Sequence, residues 1–171
     1  ALGIGQAVYP VLRQTVEGGI GMNESAGKII ILLGDDMLAV PTLVGDHLRF
    51  HQEHTALSHS CLGIVTWAKD IEVNPLMAHV TSTVGGQQFN YGEVEAADTE
   101  NVSWGAFWSG NLSFKKSFSL THGVFNAAVF KHALWEDIEL GYRLHKAGLV
   151  LHFRQECEVA HKHVLTLSGF A

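Results

Sequence analysis

The run Lys28-Ile-Ile-Ile-Leu-Leu33, closed by Gly34-Asp35-Asp36, constrains this chain more than any other segment. Its continuous aliphatic, β-branched character between Gly27 and Gly34 is the pattern of a strand buried on both faces, as in a parallel sheet. Two carboxylates at the carboxyl end of such a strand are costly unless they face water or hold a cation. Ligands of open α/β sheets bind beyond the carboxyl ends of strands. Oxygen donors there suit Mg²⁺ or Mn²⁺, which commonly also bind substrate phosphates. Gly34 lets a ligand come close to the backbone. A solvated turn capping the next helix is the competing reading. The dipeptide alone favours that turn, and the apolar strand before it brings the two readings level.

Further elements follow in alternation. Pro41 suits the first turn of a helix, and Leu43, Val44, Leu48 and Phe50 give it an apolar face through His51. His47, His51 and His54 share helical spacing and read as its solvated side. The segment Cys61-Leu-Gly-Ile-Val-Thr66 reads as a strand. Asn74-Pro75 opens a helix as cap and first residue, carried on by Leu76, Met77, Val80 and Val84 and stopped by Gly85-Gly86. Residues 87–101 are polar and acidic and read as a loop. The aromatic stretch 104–114 contains a strand at Asn111-Leu-Ser-Phe114. A helix starts near Leu134 or Trp135, with Trp135, Ile138 and Tyr142 on one face, and ends at Lys146 and Gly148. Residues 149–153 and 158–163 read as two short strands. Strands alternating with helices predict an α/β fold with a largely parallel or mixed sheet, in one domain over residues 1–171.

Composition narrows the function. Of 171 residues, 47% are hydrophobic and 16% charged, a globular balance, and the formal net charge is −6. With no basic run, nonspecific nucleic-acid binding is disfavoured. An anionic substrate remains compatible with that charge if a cation bridges it. Cys61 and Cys157 are the two cysteines, outside any CxxC spacing, and read as thiols of a reduced compartment. No apolar run reaches the length of a membrane span, and no signal peptide is recognisable. A start at Ala1 fits a fragment or a processed product.

Two other groups can carry chemistry. Glu136 and Asp137 fall in a first helical turn, where acids are electrostatically favoured, and Asp137 is the candidate general base. Glu139 and Arg143 are most simply a surface pair. Alternation puts His161 and His163 on one face, where one of them can complete a metal site with Asp36.

In their order these pieces resemble the family 2 glycosyltransferases of the GT-A fold. The apolar strand ends in Leu-Gly-Asp35-Asp36-Met, similar to the family's DxD-type metal motif. Phe107-Trp-Ser-Gly-Asn111-Leu-Ser-Phe-Lys115-Lys116 resembles its GN-S-KR segment, and Gly123-Val-Phe125 its GGFDE turn. Trp135-Glu136-Asp137-Ile-Glu-Leu-Gly-Tyr-Arg-Leu144 matches WEDIELGYRL, and His161-Lys-His163 the terminal His-rich strand. The resemblance runs from about Gly21 onward.

It implies a mixed, mostly parallel GT-A sheet flanked by helices, lacking most of the nucleotide-binding region at its amino-terminal end. It also implies a divalent cation, Mn²⁺ or Mg²⁺, on Asp36 with His163 or His161, bridging the diphosphate of a UDP-, GDP- or dTDP-sugar. Asp35 would contact the donor. Gly110, Asn111, Trp108 and Trp135 would line the sugar and acceptor pocket. Asp137, with Glu136 beside it, would take the proton of a glycan, lipid or small-molecule hydroxyl, and transfer would invert the anomeric centre. The place implied is the cytoplasm, or the inner face of a membrane as a peripheral protein. The alternative is a truncated, catalytically inactive GT-A-like domain with a binding or scaffold role.

Overall fold

The computed structural model describes residues 21–82, 98–130 and 134–170, together with Phe89, Tyr91 and Val94. In chain order the elements are β1 (Ile29–Leu33), β2 (Met37–Ala39), α1 (Leu43–Glu53), β3 (His59–Trp67), α2 (Pro75–Val80), a 3₁₀ turn (Trp104–Ala106), β4 (Asn111–Lys115), α3 (Lys116–His122), α4 (Glu136–Lys146), β5 (Val150–His161) and α5 (Leu167–Phe170). The fold is α/β, with a mixed five-stranded sheet in the order β1-β4-β3-β5-β2.

The expected parallel majority is not found among these strands. Only β3 and β5 run parallel; β1–β4, β3–β4 and β2–β5 are antiparallel. An apolar run reports burial and not direction. In β1 only Ile30 is fully buried, and the strand lies at the end of the sheet order.

Strands β1 and β2 stand at opposite ends of the strand order, yet only Gly34, Asp35 and Asp36 separate them in the chain. Four steps between flat neighbouring strands span about 19 Å. The chain from Leu33 to Met37 reaches at most about 14 Å. The sheet therefore bends until its two edges meet at this acidic turn. An irregularity in β5 contributes to the bend. Gly63 pairs with Arg154 and Val65 with Val159, so Ile64 alone faces residues 155–158. The two short strands expected at 149–153 and 158–163 are one strand interrupted by this bulge.

Side chains from both sheet and helices close the core, with Leu62, Phe107, Leu112, Phe114, Leu140, Leu144 and Leu151 almost fully buried. Gly141 lets α4 lie against the 3₁₀ turn, since a β-carbon there would stand 2.4 Å from Phe107 Cβ. The buried face of α4 is Glu136, Leu140, Gly141 and Leu144, whereas Trp135 and Tyr142 are exposed. The apolar face expected on Trp135 is thus displaced. Trp135 precedes the helix in a left-handed conformation (φ 66°), so its side chain leaves the helical repeat.

Helix α1 is also turned from its expected face. It buries Leu43, Asp46, His47, Phe50 and His51, and leaves Val44 and Leu48 exposed. The histidines expected in solvent are inside because β4 supplies their partners. His47 Nδ1 lies 2.8 Å from Ser113 Oγ, His47 Nε2 3.0 Å from Asn111 Oδ1, and His51 Nε2 2.9 Å from Ser113 Oγ. A buried imidazole with satisfied nitrogens is tolerated where a bare one is not.

Asn74 caps α2 through the Met77 amide, as its sequence predicts. That helix ends at Val80; Val84, Gly85 and Gly86 lie outside the described residues. So does most of 87–101, although Tyr91 and Val94 are helical and buried, where a loop was expected. No helix among the described residues is long and apolar enough to cross a membrane.

Candidate active site

The acidic turn is fastened to the end of β5. Met37 pairs with His161, and the Lys162 amide donates to the Asp36 carbonyl at 2.8 Å. The Asp36 side chain then meets the histidines. Its Oδ2 lies 2.8 Å from His161 Nε2 and 3.6 Å from His163 Nδ1. His161 is buried and His163 exposed, and their rings stack with centroids 5.8 Å apart. Gly34 makes room for this arrangement, because a β-carbon there would stand 3.1 Å from Asp36 Oδ1. Asp35 points outward and is exposed.

Beside His161 the ends of the parallel strands open into a hollow. Trp67, the last residue of β3, stacks on His161 at 5.1 Å, and Phe89 meets the same imidazole edge-on at 5.4 Å. Val65, Thr66, Trp67, Thr81 and Phe89 line a cavity of about 250 Å³. Among the described residues, Trp67 Nε1 and His161 Nδ1 are buried side-chain nitrogens with no protein partner. Buried polar groups normally are bonded, so these two are available to a ligand or water.

Asp137 lies in the first turn of α4. Its Oδ2 accepts from the Ser109 amide at 3.1 Å and the Ser109 hydroxyl at 3.3 Å, and Oδ1 accepts from the Ile138 amide at 2.8 Å. Burial pushes its carboxyl above the usual range, and the Ser109 and Ile138 bonds oppose that rise. Glu136 is more deeply placed, at 3% exposure, and burial raises its carboxyl too. Of the two acids, Asp137 is the one with access to solvent.

The Ser109-Gly110 turn joins both halves. Ser109 holds Asp137, and the Gly110 carbonyl accepts from the Gly34 amide at 3.2 Å. A β-carbon on Gly110 would stand 3.3 Å from the Phe89 ring and 3.4 Å from Met37. The two acidic segments, about a hundred positions apart in the chain, thus flank one two-residue turn.

Two expected pocket residues are placed elsewhere. Asn111 is fully buried; its Nδ2 donates to the Ile64 and Cys157 carbonyls and its Oδ1 meets His47. Its amide is committed to holding the bulge open and does not line the hollow. Trp108 is half-buried and packs edge-on against Tyr91 at 5.3 Å, as part of the core's border. Trp135 is 66% exposed at the start of α4. The lysines after β4 are anchors: Lys115 Nζ donates to the His54 and Ala56 carbonyls, and Lys116 Nζ to those of Asn23 and Ser25. Ser109 and Trp67 were not singled out by sequence. The Ser-Gly pair before β4 was the available signal for the first, and an aromatic at a strand's carboxyl end for the second.

Asp36 with His161 offers one carboxylate and one imidazole, with His163 slightly beyond. This partial set could hold a metal ion. No protein-family model matches the chain, and no curated protein matches it either.

Proposed function

We propose that the chain transfers a sugar from a nucleotide-sugar donor to an acceptor hydroxyl with inversion. The observation that carries this reading is the Ser109-Gly110 turn, which bonds Asp137 on one side and the Gly34-Asp36 segment on the other. Inverting transfer needs a base near the acceptor oxygen and charge neutralisation near the departing diphosphate, with the sugar between them.

In this reading Asp36 and His161 hold the cation, with His163 reaching it from outside. Mn²⁺ or Mg²⁺, when bound, neutralises charge on the nucleoside-diphosphate leaving group. Asp137 takes the acceptor's proton on its carboxylate. Ser109 holds that carboxylate in one orientation through two hydrogen bonds, and the start of α4 favours its ionised form. Trp67 offers a ring face and an unpaired N–H to the group in the hollow. Trp135, exposed at the mouth of α4, supplies a face for an acceptor sugar. The mixed α/β sheet, with a metal-ready turn beyond a strand end, supports a GT-A-like assignment.

The alternative is a GT-A-like domain that binds without turning over. The sealed Asn111 amide favours it, because a residue expected at the donor is withdrawn. Calorimetry with UDP and GDP, with and without Mn²⁺, on wild type and Asp36→Ala tests the metal-bridged site. A companion assay of sugar release from UDP- and GDP-sugars compares wild type with Asp137→Asn. Metal-dependent binding and turnover, each lost in its variant, support the enzyme. Binding without turnover supports the alternative, and absence of both overturns the nucleotide-sugar reading.

A further inference from the structure

We infer that the end of the β3–β5 pair remote from Asp36 is a transition-metal site, formed by His54, His152 and Glu100, with His59 supporting His152. Four segments converge there. His54 follows α1, His59 begins β3, His152 lies near the start of β5, and Glu100 sits in the turn before Val102. That turn is fastened to β5, with the Val102 amide donating to the Leu151 carbonyl at 2.7 Å and the Phe153 amide to the Thr99 carbonyl at 2.8 Å.

The donors are already close. His59 Nδ1 lies 2.6 Å from His152 Nε2, and His152 Nδ1 lies 3.0 Å from Glu100 Oε2. One ligand atom from each of His54, Glu100 and His152 falls within 4.8 Å of the others. The His54 ring centroid is 4.7 Å from that of His152 and 5.5 Å from that of His59. Nitrogen ligands on a tetrahedral metal, at about 2.0–2.1 Å from it, stand about 3.3 Å apart. Small side-chain rotations would gather His54, Glu100 and His152 Nδ1 around one ion, while His59 holds His152 from behind through Nε2.

Protonation suits ligation. His54 Nδ1 is bonded to the Phe50 carbonyl at 3.0 Å, which assigns its proton to that nitrogen and leaves Nε2 with a lone pair. Burial lowers the pKa of both His59 and His152, which favours the neutral imidazole. Arg154, then His152, holds the Glu100 carboxyl at about 2, so it is charged. Two imidazoles and a carboxylate, with water in the fourth position, select zinc or a neighbouring late transition metal over Mg²⁺. Two cations oppose it: Arg154, bonded to Glu100 at 2.9 Å, and Lys115, whose charge reaches His59. The competing interpretation is a cluster held by hydrogen bonds and the Arg154 pair alone.

This site is separate from the candidate catalytic one. The nine residues of β3 run from His59 to Trp67, about 26 Å at about 3.3 Å per residue. An ion here would tie α1, β3, β5 and the Glu100 turn together, a structural role that the sugar-transfer reading does not require.

The test is Zn²⁺ titration calorimetry and Co²⁺ absorption on Asp36→Asn chains, which disables the other cation site. The expected result is one Zn²⁺ bound and the intense visible bands of tetrahedral Co²⁺. Adding His54→Gln should weaken Zn²⁺ by about tenfold or more and remove those bands, and His59→Gln, which loses the partner of His152, should weaken Zn²⁺ by about tenfold. Both residues are half-buried, and an unchanged far-UV spectrum shows that the fold survives. Zn²⁺ affinity and Co²⁺ bands that persist in both variants overturn the site, as does failure of the Asp36→Asn chain to bind Zn²⁺.

Discussion

His161 Nε2 lies 2.8 Å from Asp36 Oδ2, a contact between residues 125 positions apart that holds the acidic turn to the end of β5. Asp36 is about one-third exposed, so the contact is worth little to folding, within about 1 kcal/mol. Its proposed value is as a preformed pair of ligands. Asp36→Asn should therefore leave the thermal midpoint almost unchanged, while Mn²⁺-dependent nucleotide binding falls by about tenfold or more. Parallel melting and calorimetry separate the two effects.

Asp137 should behave in the opposite sense. Its folded pKa lies above the unfolded value of 3.8, so the unfolded chain gives up this proton first as pH rises. Stability is lost through that window, and the ionised group remains a burden at neutral pH. Asp137→Asn should keep or raise the melting temperature at pH 7, with less benefit at pH 4, while sugar transfer falls by about a hundredfold or more. In wild type the acid limb of kcat against pH should sit above the normal Asp range. Ser109→Ala should move that limb slightly further up, since the hydroxyl bond to Asp137 is lost while the Ser109 amide bond stays.

The bulge makes Gly63 sensitive. A β-carbon there would stand 2.2 Å from the Cys157 carbonyl and 2.3 Å from Asn111 Nδ2, both fixed in the interior. Gly63→Ala should cost about 3 kcal/mol, read from denaturant midpoints. Gly45, with open space around its Cα, is the control and should tolerate alanine.

Acid should unfold the chain through its buried imidazoles. Burial, with Lys115 and the neighbouring histidines, lowers His51 from 6.5 to about 3. Between those values the unfolded chain binds the extra proton, so stability is complete above pH 6.5 and lost as pH falls. The slope is about 1.4 kcal/mol per pH unit, or about 2 kcal/mol by pH 5. His59 and His152, also lowered by burial, act in the same direction. Urea midpoints at pH 7, 6 and 5 check the slope, and His51→Gln should flatten it.

The elements of this fold were more legible than their faces. The β1 run, the Asn74-Pro75 start and the Gly148 stop each carry local chemistry that acts wherever the chain goes. The buried side of α1 depends on Ser113 and Asn111, more than sixty positions away. A periodicity that counts apolar residues reads His47 and His51 as solvent-facing. Strand direction was hidden for the same reason, since the pairing of β1 with β4 is a tertiary fact. Asp36, His161 and His163 were singled out because carboxylate and imidazole announce their chemistry, and the structure brings the three side chains together. Ser109 was not, because its role lies in an amide and a hydroxyl that any turn can offer.

The mismatch between β3 and β5 acts as a mechanical break. For β5 to slide along its neighbour, residues 155–158 would have to be drawn past Gly63, where Asn111 grips both backbones. The register of β5 on β3 is thereby pinned midway between the His59 end and the Trp67 end.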